Sequence, residues 1–302
     1  MRVFVTGATG FVGSAVVTDL IDAGHQVVGL ARSADGAAAV AAAGAEVQRG
    51  SLADLEVLQT AAATADAVIH TAFVHDFANW AGAVATDQAA ITAIGDALAG
   101  SDRPFVVTSA TGLVRGDGIA LESSPANPDV PTALRFGSEG IALAYADQGV
   151  RVSVLRLSPS VHGEGDPNFI AGLIATARQH GTSAYVADGA NCWAAVHRSD
   201  AARLYRAALN APAGSRLHAV GEEAVPFREI AEVIGRQLAV PVVSITPDQA
   251  PDHFGWLAGF AVHDVRASSQ ATQQLLNWHP TGPGLIPDLE KGHYFTSGSA
   301  GS

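Results

Sequence analysis

The sequence predicts an α/β fold, a doubly wound parallel sheet followed by a small carboxy-terminal α/β lobe. Three observations carry this expectation. The chain opens on strand, glycine turn and amphipathic helix. Short apolar runs then alternate with alanine-rich helical stretches through the first half, and a mixed strand and helix pattern follows in the last third.

In the first unit, Val3, Phe4 and Val5 suit a buried strand that breaks at Gly7 and leads to Gly10 and Gly13. Val12, Val16, Val17, Leu20 and Ile21 then recur on one helical face, with Asp19 and Asp22 opposite. Diphosphate binding wants this arrangement. Gly7 permits the tight turn, Gly10 removes a side chain where the anion must approach, and Gly13 lets helix and strand pack closely. Thr9, Phe11 and Val12 complete the turn.

Further strands are expected at Val27 to Leu30, Ala45 to Gln48, Ala67 to Thr71, Phe105 to Ser109 and Val150 to Leu157. Such alternation implies a sheet covered on both faces, with ligands at the carboxyl ends of its strands. Beyond it lie a strand at Leu217 to Val220, a helix through Phe227, Ile230, Ile234 and Leu238, and a strand at Pro241 to Ile245. The expected organisation is a dinucleotide-binding domain over 1–160, with 190–212 returning to it, a mainly substrate-binding lobe over 161–296, and a flexible tail over 297–302.

Composition narrows the function. Apolar residues make up 48% and charged residues 15%, which excludes wholesale disorder. A net charge of -12 without a basic run argues against a nucleic-acid partner. No apolar run reaches the roughly 18 residues of a membrane span. The lone cysteine, Cys192, fits a reducing, cytoplasmic setting; it reads as a small buried hydrophobe or, alternatively, a nucleophile. The histidines show no metal-ligand spacing.

Thr6-Gly-Ala-Thr-Gly-Phe-Val-Gly13, spaced Gly7-x-x-Gly10-x-x-Gly13, resembles the fingerprint of extended short-chain dehydrogenase/reductases of the NAD(P)-binding Rossmann superfamily. The resemblance implies a dinucleotide cofactor. Where NAD-selective members carry an acid after the second strand, this chain has Arg32-Ser33, which suits the 2′-phosphate of NADP(H) over NAD(H). A solvated surface arginine is the alternative. The resemblance also places Ser51 and Leu52 beside the adenine, and Thr71, Ala72 and Ser158 along the cofactor cleft, with His70 packed under the sheet.

Matching Val114-Arg115-Gly116 to the family's Val-Tyr-Gly puts Thr111 at the catalytic hydroxyl, with Ser109 as the alternative. The family's Tyr and Lys, four residues apart on the next helix, fall here on Arg135 and Glu139. Lys291 is the only lysine in the chain, so no shift of alignment supplies another. Glu139 is read as an acceptor for ribose hydroxyls and Arg135 as an oxyanion or carboxylate anchor; a surface ion pair between them is the other reading. Tyr145 is assigned to packing.

His162 stands at the Tyr of a second Val-Tyr-Gly and is the candidate proton donor, or else a hydrogen-bonded loop histidine. Trp193 to Asp200 resembles the segment where the lobes meet, with His197 toward substrate and Asp200 capping a helix. Phe254, Trp256 and Phe260 wall a pocket or fill the lobe's core.

These readings point to an NADP(H)-dependent oxidoreductase on a small carbonyl, alcohol or imine-type substrate. A non-catalytic NADP sensor and a non-redox isomerase or lyase share the same motifs, and a homodimer is expected by analogy.

Overall fold

The computed structural model describes all residues except 77, 131 and 297–302. Pro131, the expected start of the Arg135 helix, and the expected tail thus lie outside the described residues. In chain order the strands are β1 (Arg2–Thr6), β2 (Gln26–Ala31), β3 (Glu46–Arg49), β4 (Ala67–His70), β5 (Pro104–Ala110), β6 (Arg151–Leu157), β7 (Ser160–His162), β8 (Ser183–Val186), β9 (Cys192–His197), β10 (Ser215–Ala219), β11 (Glu222–Pro226) and β12 (Val242–Ile245). The helices are α1 (Phe11–Asp22), α2 (Ala34–Ala42), α3 (Leu55–Ala63), α4 (Trp80–Leu98), α5 (Phe136–Leu143), α6 (Phe169–His180), α7 (Arg198–Ala208), α8 (Phe227–Leu238), α9 (Ala250–Phe254), α10 (Ala258–Ala261), α11 (Gln270–Leu276) and α12 (Leu285–Glu290).

Seven strands form one parallel sheet in the order β10-β6-β5-β4-β1-β2-β3. The chain leaves β1 toward β2 and β3, then crosses back to β4 on the other side. This reversal opens a crevice at the carboxyl ends of β1 and β4, where Thr6 registers with His70. Because side chains alternate along each strand, Val3, Val5, Ile69 and Leu155 pack under α1 and α7 on one face. Phe4, Val68, Phe105 and Val107 meet α3, α4 and α5 on the other.

The smaller lobe has a separate core in which Ile170, Phe227, Ile230, Ile234, Phe254 and Leu285 cluster between α6, α8, α9 and α12. Its strands form a three-stranded sheet, β11-β9-β7, and a β12-β8 pair. Phe254 is therefore core, and Phe260 lies against the same cluster, while Trp256 is 54% exposed. Cys192 is buried at the start of β9.

One element moves between lobes. β10, grouped with the small lobe in the sequence reading, is the edge strand of the large sheet, with Leu217 in register with Leu155. The reason is the β6 to β10 return through α7, which packs beside α1 and continues the parallel winding.

The Gly13 position limits how close α1 can lie to β1, since a Cβ there would fall on the Gly7 carbonyl oxygen, whereas one at Gly140 in α5 meets nothing within 4 Å. Gly13→Ala is expected to cost about 1–3 kcal/mol through overpacking. Gly140→Ala is expected to be neutral or stabilising by up to about 1 kcal/mol. Urea denaturation of the two variants reads the contrast directly.

Candidate functional site

The glycine turn has the geometry of an anion cradle. Gly7 sits at φ +70°, and a Cβ there would lie 2.6 Å from Thr71 Oγ1 and 2.7 Å from the Ala72 nitrogen, so only glycine fits. The Gly10 N–H closes the turn on the Gly7 carbonyl at 2.9 Å. At Gly10 an added Cβ would meet only the Gly7 oxygen, at 3.3 Å, and otherwise open space. No side chain caps the N-terminus of α1, which begins at Phe11 and Val12. An uncapped helix end beneath an open glycine suits a diphosphate, so the residues fit a dinucleotide. Thr9 is exposed beside it, and the Thr71 hydroxyl donates to the Thr6 carbonyl at 2.7 Å, fixing the opposite wall.

At the other end of the crevice Arg32 is exposed after β2. Arg49, ending β3 opposite Ala31, donates to the backbone carbonyls of both Arg32 and Ser33. The Ser33 hydroxyl accepts from the Gly36 N–H at 3.0 Å and caps α2. Arg49 and the start of α2 thus lie against the Arg32-Ser33 segment to which the sequence assigns the 2′-phosphate. The signal for Arg49 was its place at the end of the next parallel strand. Ser51 bonds Asp54 and Leu52 is buried, so their side chains serve the loop after β3.

The catalytic candidates separate by hydrogen bonding. Thr111, in the short 3₁₀ turn after β5, is fully buried, and its hydroxyl has no partner. Ser109 instead donates to Glu139 Oε1 at 2.5 Å. Glu139 is itself buried and takes Arg156 Nε at 2.9 Å on Oε1 and Nη2 at 2.7 Å on Oε2. This corrects the surface ion-pair reading of Glu139. Its carboxylate is buried and engaged by Ser109 and by an arginine of β6, so its ion pair is neither at the surface nor with Arg135.

Arg135 stands at the end of a 3₁₀ turn leading into α5. Its guanidinium lies 3.9 Å over the Phe73 ring, and its Nε is buried without a partner. Burial pushes its pKa down, against the charges of Asp87, Tyr205 and Glu139. Next to it on α5, Ser138 donates to Asp87 Oδ2 at 2.7 Å, and Asp87 Oδ1 lies 3.1 Å from His70 Nε2. A carboxylate there requires the His70 proton on Nε2, which leaves Nδ1 to accept from the Thr6 hydroxyl at 2.8 Å. His70 is thus a buried link beneath the crevice.

His162 lies in a different cluster. Its Nδ1 faces Asp288 Oδ2 at 3.0 Å and its ring meets His197 edge-on at 5.4 Å; none of its hydrogen bonds reaches Thr111, Ser109 or Arg135. Its buried Nε2 has no partner. Ser158, read as a cleft residue, donates its hydroxyl to the Ala219 carbonyl at 2.7 Å and ties β6 to β10. His197, not Asp200, caps α7, because Asp200 turns to accept from the N–H groups of Thr281 and Gly282 and pairs with Arg203. Tyr145 packs in the core and donates to Asp96, with its pKa pushed up to about 12 by burial and by that carboxylate.

The model of the NAD dependent epimerase/dehydratase family matches residues 3–220. The chain belongs to that family. Within and around it, the chain is 47% identical to the uncharacterised protein C2A9.02 of Schizosaccharomyces pombe, over 98% of this chain and 100% of that one. It is 29% identical to a 2-alkyl-3-oxoalkanoate reductase of Stenotrophomonas maltophilia, over 80% of this chain and 77% of that one. Among solved structures it resembles the dTDP-glucose 4,6-dehydratase DesIV of Streptomyces venezuelae, at TM-score 0.77 and 21% identity over 97% of both chains. As an epimerase/dehydratase family member it has a seven-stranded parallel Rossmann-type sheet, and its fold is that of the solved structure.

Asp166 lies beside the His162 cluster, accepting from the Asn168 N–H at 2.8 Å and from Tyr294 at 3.1 Å. Burial raises its pKa to about 6, against those hydrogen bonds. The folded protein therefore holds this proton where the unfolded chain has lost it. Its stabilising contribution is complete below the unfolded value near 3.8 and is lost as pH rises through about 6. Urea midpoints are expected to fall between pH 4 and pH 6.5, by the order of 2–3 kcal/mol from this group. Asp166→Asn should flatten that part of the profile.

Proposed function

We propose that the chain is an NADP(H)-dependent oxidoreductase that transfers hydride to or from a small carbonyl, alcohol or imine-type substrate without a Tyr/Lys pair. The observation that carries this reading is the Thr111 hydroxyl, fully buried and unpartnered at the end of β5. A buried hydroxyl without a partner costs about 1–3 kcal/mol, a cost relieved when a substrate oxygen accepts its hydrogen bond. The bound nicotinamide supplies the hydride.

Thr111 then orients the substrate oxygen, and Arg135 stabilises negative charge developing on it. Arg135 cannot act as the acid, because a guanidinium keeps its proton at working pH. His162 belongs to the separate Asp288 cluster, so the proton in this proposal comes from a bound water. Family membership and a reductase among the relatives support an enzyme working on a carbonyl. Arg32, exposed after β2 with Arg49 bonded to its backbone carbonyl, supports a 2′-phosphate, since a guanidinium offers charge-assisted bonds where an acid would repel one.

Two measurements test the proposal. With NADPH and a panel of ketones, aldehydes and imines, turnover followed at the nicotinamide absorbance band is expected to fall about 10²-fold in Thr111→Val and to be largely retained in Thr111→Ser. Tight NADPH binding with no turnover on any substrate would reject the oxidoreductase in favour of a sensor. In a separate binding series, Arg32→Ala and Arg49→Ala should each weaken NADPH roughly tenfold or more while leaving NADH nearly unchanged. Equal losses for the two cofactors would reject the phosphate clamp.

A further inference from the structure

A second polar cavity lies beside the diphosphate turn and is used by nothing described above. It is open, about 420 Å³ in volume, and lined by Glu164, His197, Arg198, Asp288, Lys291 and His293. That exceeds ten times the roughly 30 Å³ of a liquid water, enough for an anionic group together with the carbon that carries it. Its lining combines an arginine, the only lysine of the chain and two histidines with two acids.

The acids of the cavity are already engaged or aside. Asp288 is buried beneath it: Oδ2 faces His162 Nδ1 at 3.0 Å and Oδ1 takes Lys291 Nζ at 3.3 Å. Although burial opposes it, those bonds and the charges of His162 and His293 hold Asp288 below its usual pKa. Glu164 is exposed and contributes its backbone carbonyl to Arg198 Nη1 at 2.9 Å. Arg198 has no carboxylate within ion-pair distance among the described residues, which leaves most of its donors for a ligand.

Two histidines stand beside these cations. His197 Nδ1 lies 2.7 Å from the Ser199 hydroxyl and 3.3 Å from the Ser199 backbone N–H; in the tautomer that accepts from both, Nε2 carries the ring proton and is the donor offered to a ligand. His293 Nε2 is buried without a hydrogen-bond partner, with only Asp288 nearby at 3.7 Å. These side chains do not make a metal site, since among the described residues no three His, Cys, Asp or Glu groups converge to hold one. The Arg198 guanidinium lies 4.9 Å over the ring of Phe11, the first residue of α1, so the cavity stands one side chain from the diphosphate turn.

We propose that this cavity is an oxyanion site for a phosphate or carboxylate group, held by Arg198 and Lys291 with the His197 and His293 imidazoles as hydrogen-bond donors. Its occupant is either an anionic group of the substrate or the cofactor's own diphosphate. The site does not depend on the oxidoreductase reading and stands even if the chain turns nothing over.

The single lysine makes the test direct. Reductive methylation with carbon-13 formaldehyde labels only Lys291 and the terminal amine, keeps both charges, and gives two methyl resonances assigned with Lys291→Arg. Titration of the full chain with inorganic phosphate, against chloride at matched ionic strength, is expected to move the Lys291 resonance saturably and leave the terminal one in place. Arg198→Gln and His293→Gln should each weaken the effect, the former roughly tenfold or more. If phosphate binding persists under saturating NADPH, the anion belongs to the substrate. If NADPH itself shifts the resonance and abolishes the phosphate response, the anion is the cofactor diphosphate. A Lys291 response no larger with phosphate than with chloride, or one unchanged in folded Arg198→Gln, overturns the site.

Discussion

The site depends on an ion pair removed from water. Arg156 and Glu139 have side-chain exposures of 0% and 2%, and such a pair survives burial only when its remaining donors and acceptors are met. Here they are. Ser109 shares Oε1 with Arg156 Nε, and Arg156 Nη1 reaches the Glu122 carbonyl at 3.1 Å and His218 Nε2 at 3.3 Å. His218 is fixed in turn by donating from Nδ1 to the Ser268 carbonyl at 2.8 Å. One charge pair thereby holds α5, β5, β6 and β10 together at the carboxyl edge of the sheet. It also explains why position 139 is no place for a lysine in this chain: a cation there would face Arg156.

The neighbouring residue supplies the second tie. Successive residues of a helix point about 100° apart, so Ser138 and Glu139 reach different elements from the same turn. Glu139 goes to the sheet, and Ser138 goes to Asp87 on α4. From Asp87 the bonds continue through His70 to Thr6, the residue before Gly7. Arg135, one turn earlier on the same segment, therefore occupies a position fixed from two sides and connected to the diphosphate turn. A shift of α5 would break buried hydrogen bonds at both ends.

How much of this the sequence discloses follows from the range of each interaction. The glycine turn and the strand pattern are readable because Gly7, Gly10 and Gly13 act within one local unit and Val3 to Val5 carry their burial in their own composition. Glu139 is misread because its partner comes from a strand on the other side of a loop, and a glutamate on a helix looks like a surface residue. Asp288 gives no sequence signal at all toward His162, which lies 126 residues away. Asp200 shows the same effect: its position in the first turn of α7 suggests a local cap, but the N–H groups of Thr281 and Gly282, 81 and 82 residues away, compete for its carboxylate and win.

The contrast between satisfied and unsatisfied groups separates scaffold from site. Ser109, Glu139, Asp87 and His70 all have partners, and each removes a degree of freedom from the backbone that carries it. Thr111 Oγ1 and Arg135 Nε are buried without partners at the same end of the sheet. Donors left in this state carry a standing desolvation cost, and an oxygen that gains negative charge can recover it without further reorganisation. In the proposed reaction, an arginine held over Phe73 would do this without surrendering a proton, so stabilising the oxyanion and protonating it would be separate tasks. On that proposal, Arg135 in place of a tyrosine-type acid keeps the charge stabilisation and leaves the proton to another donor.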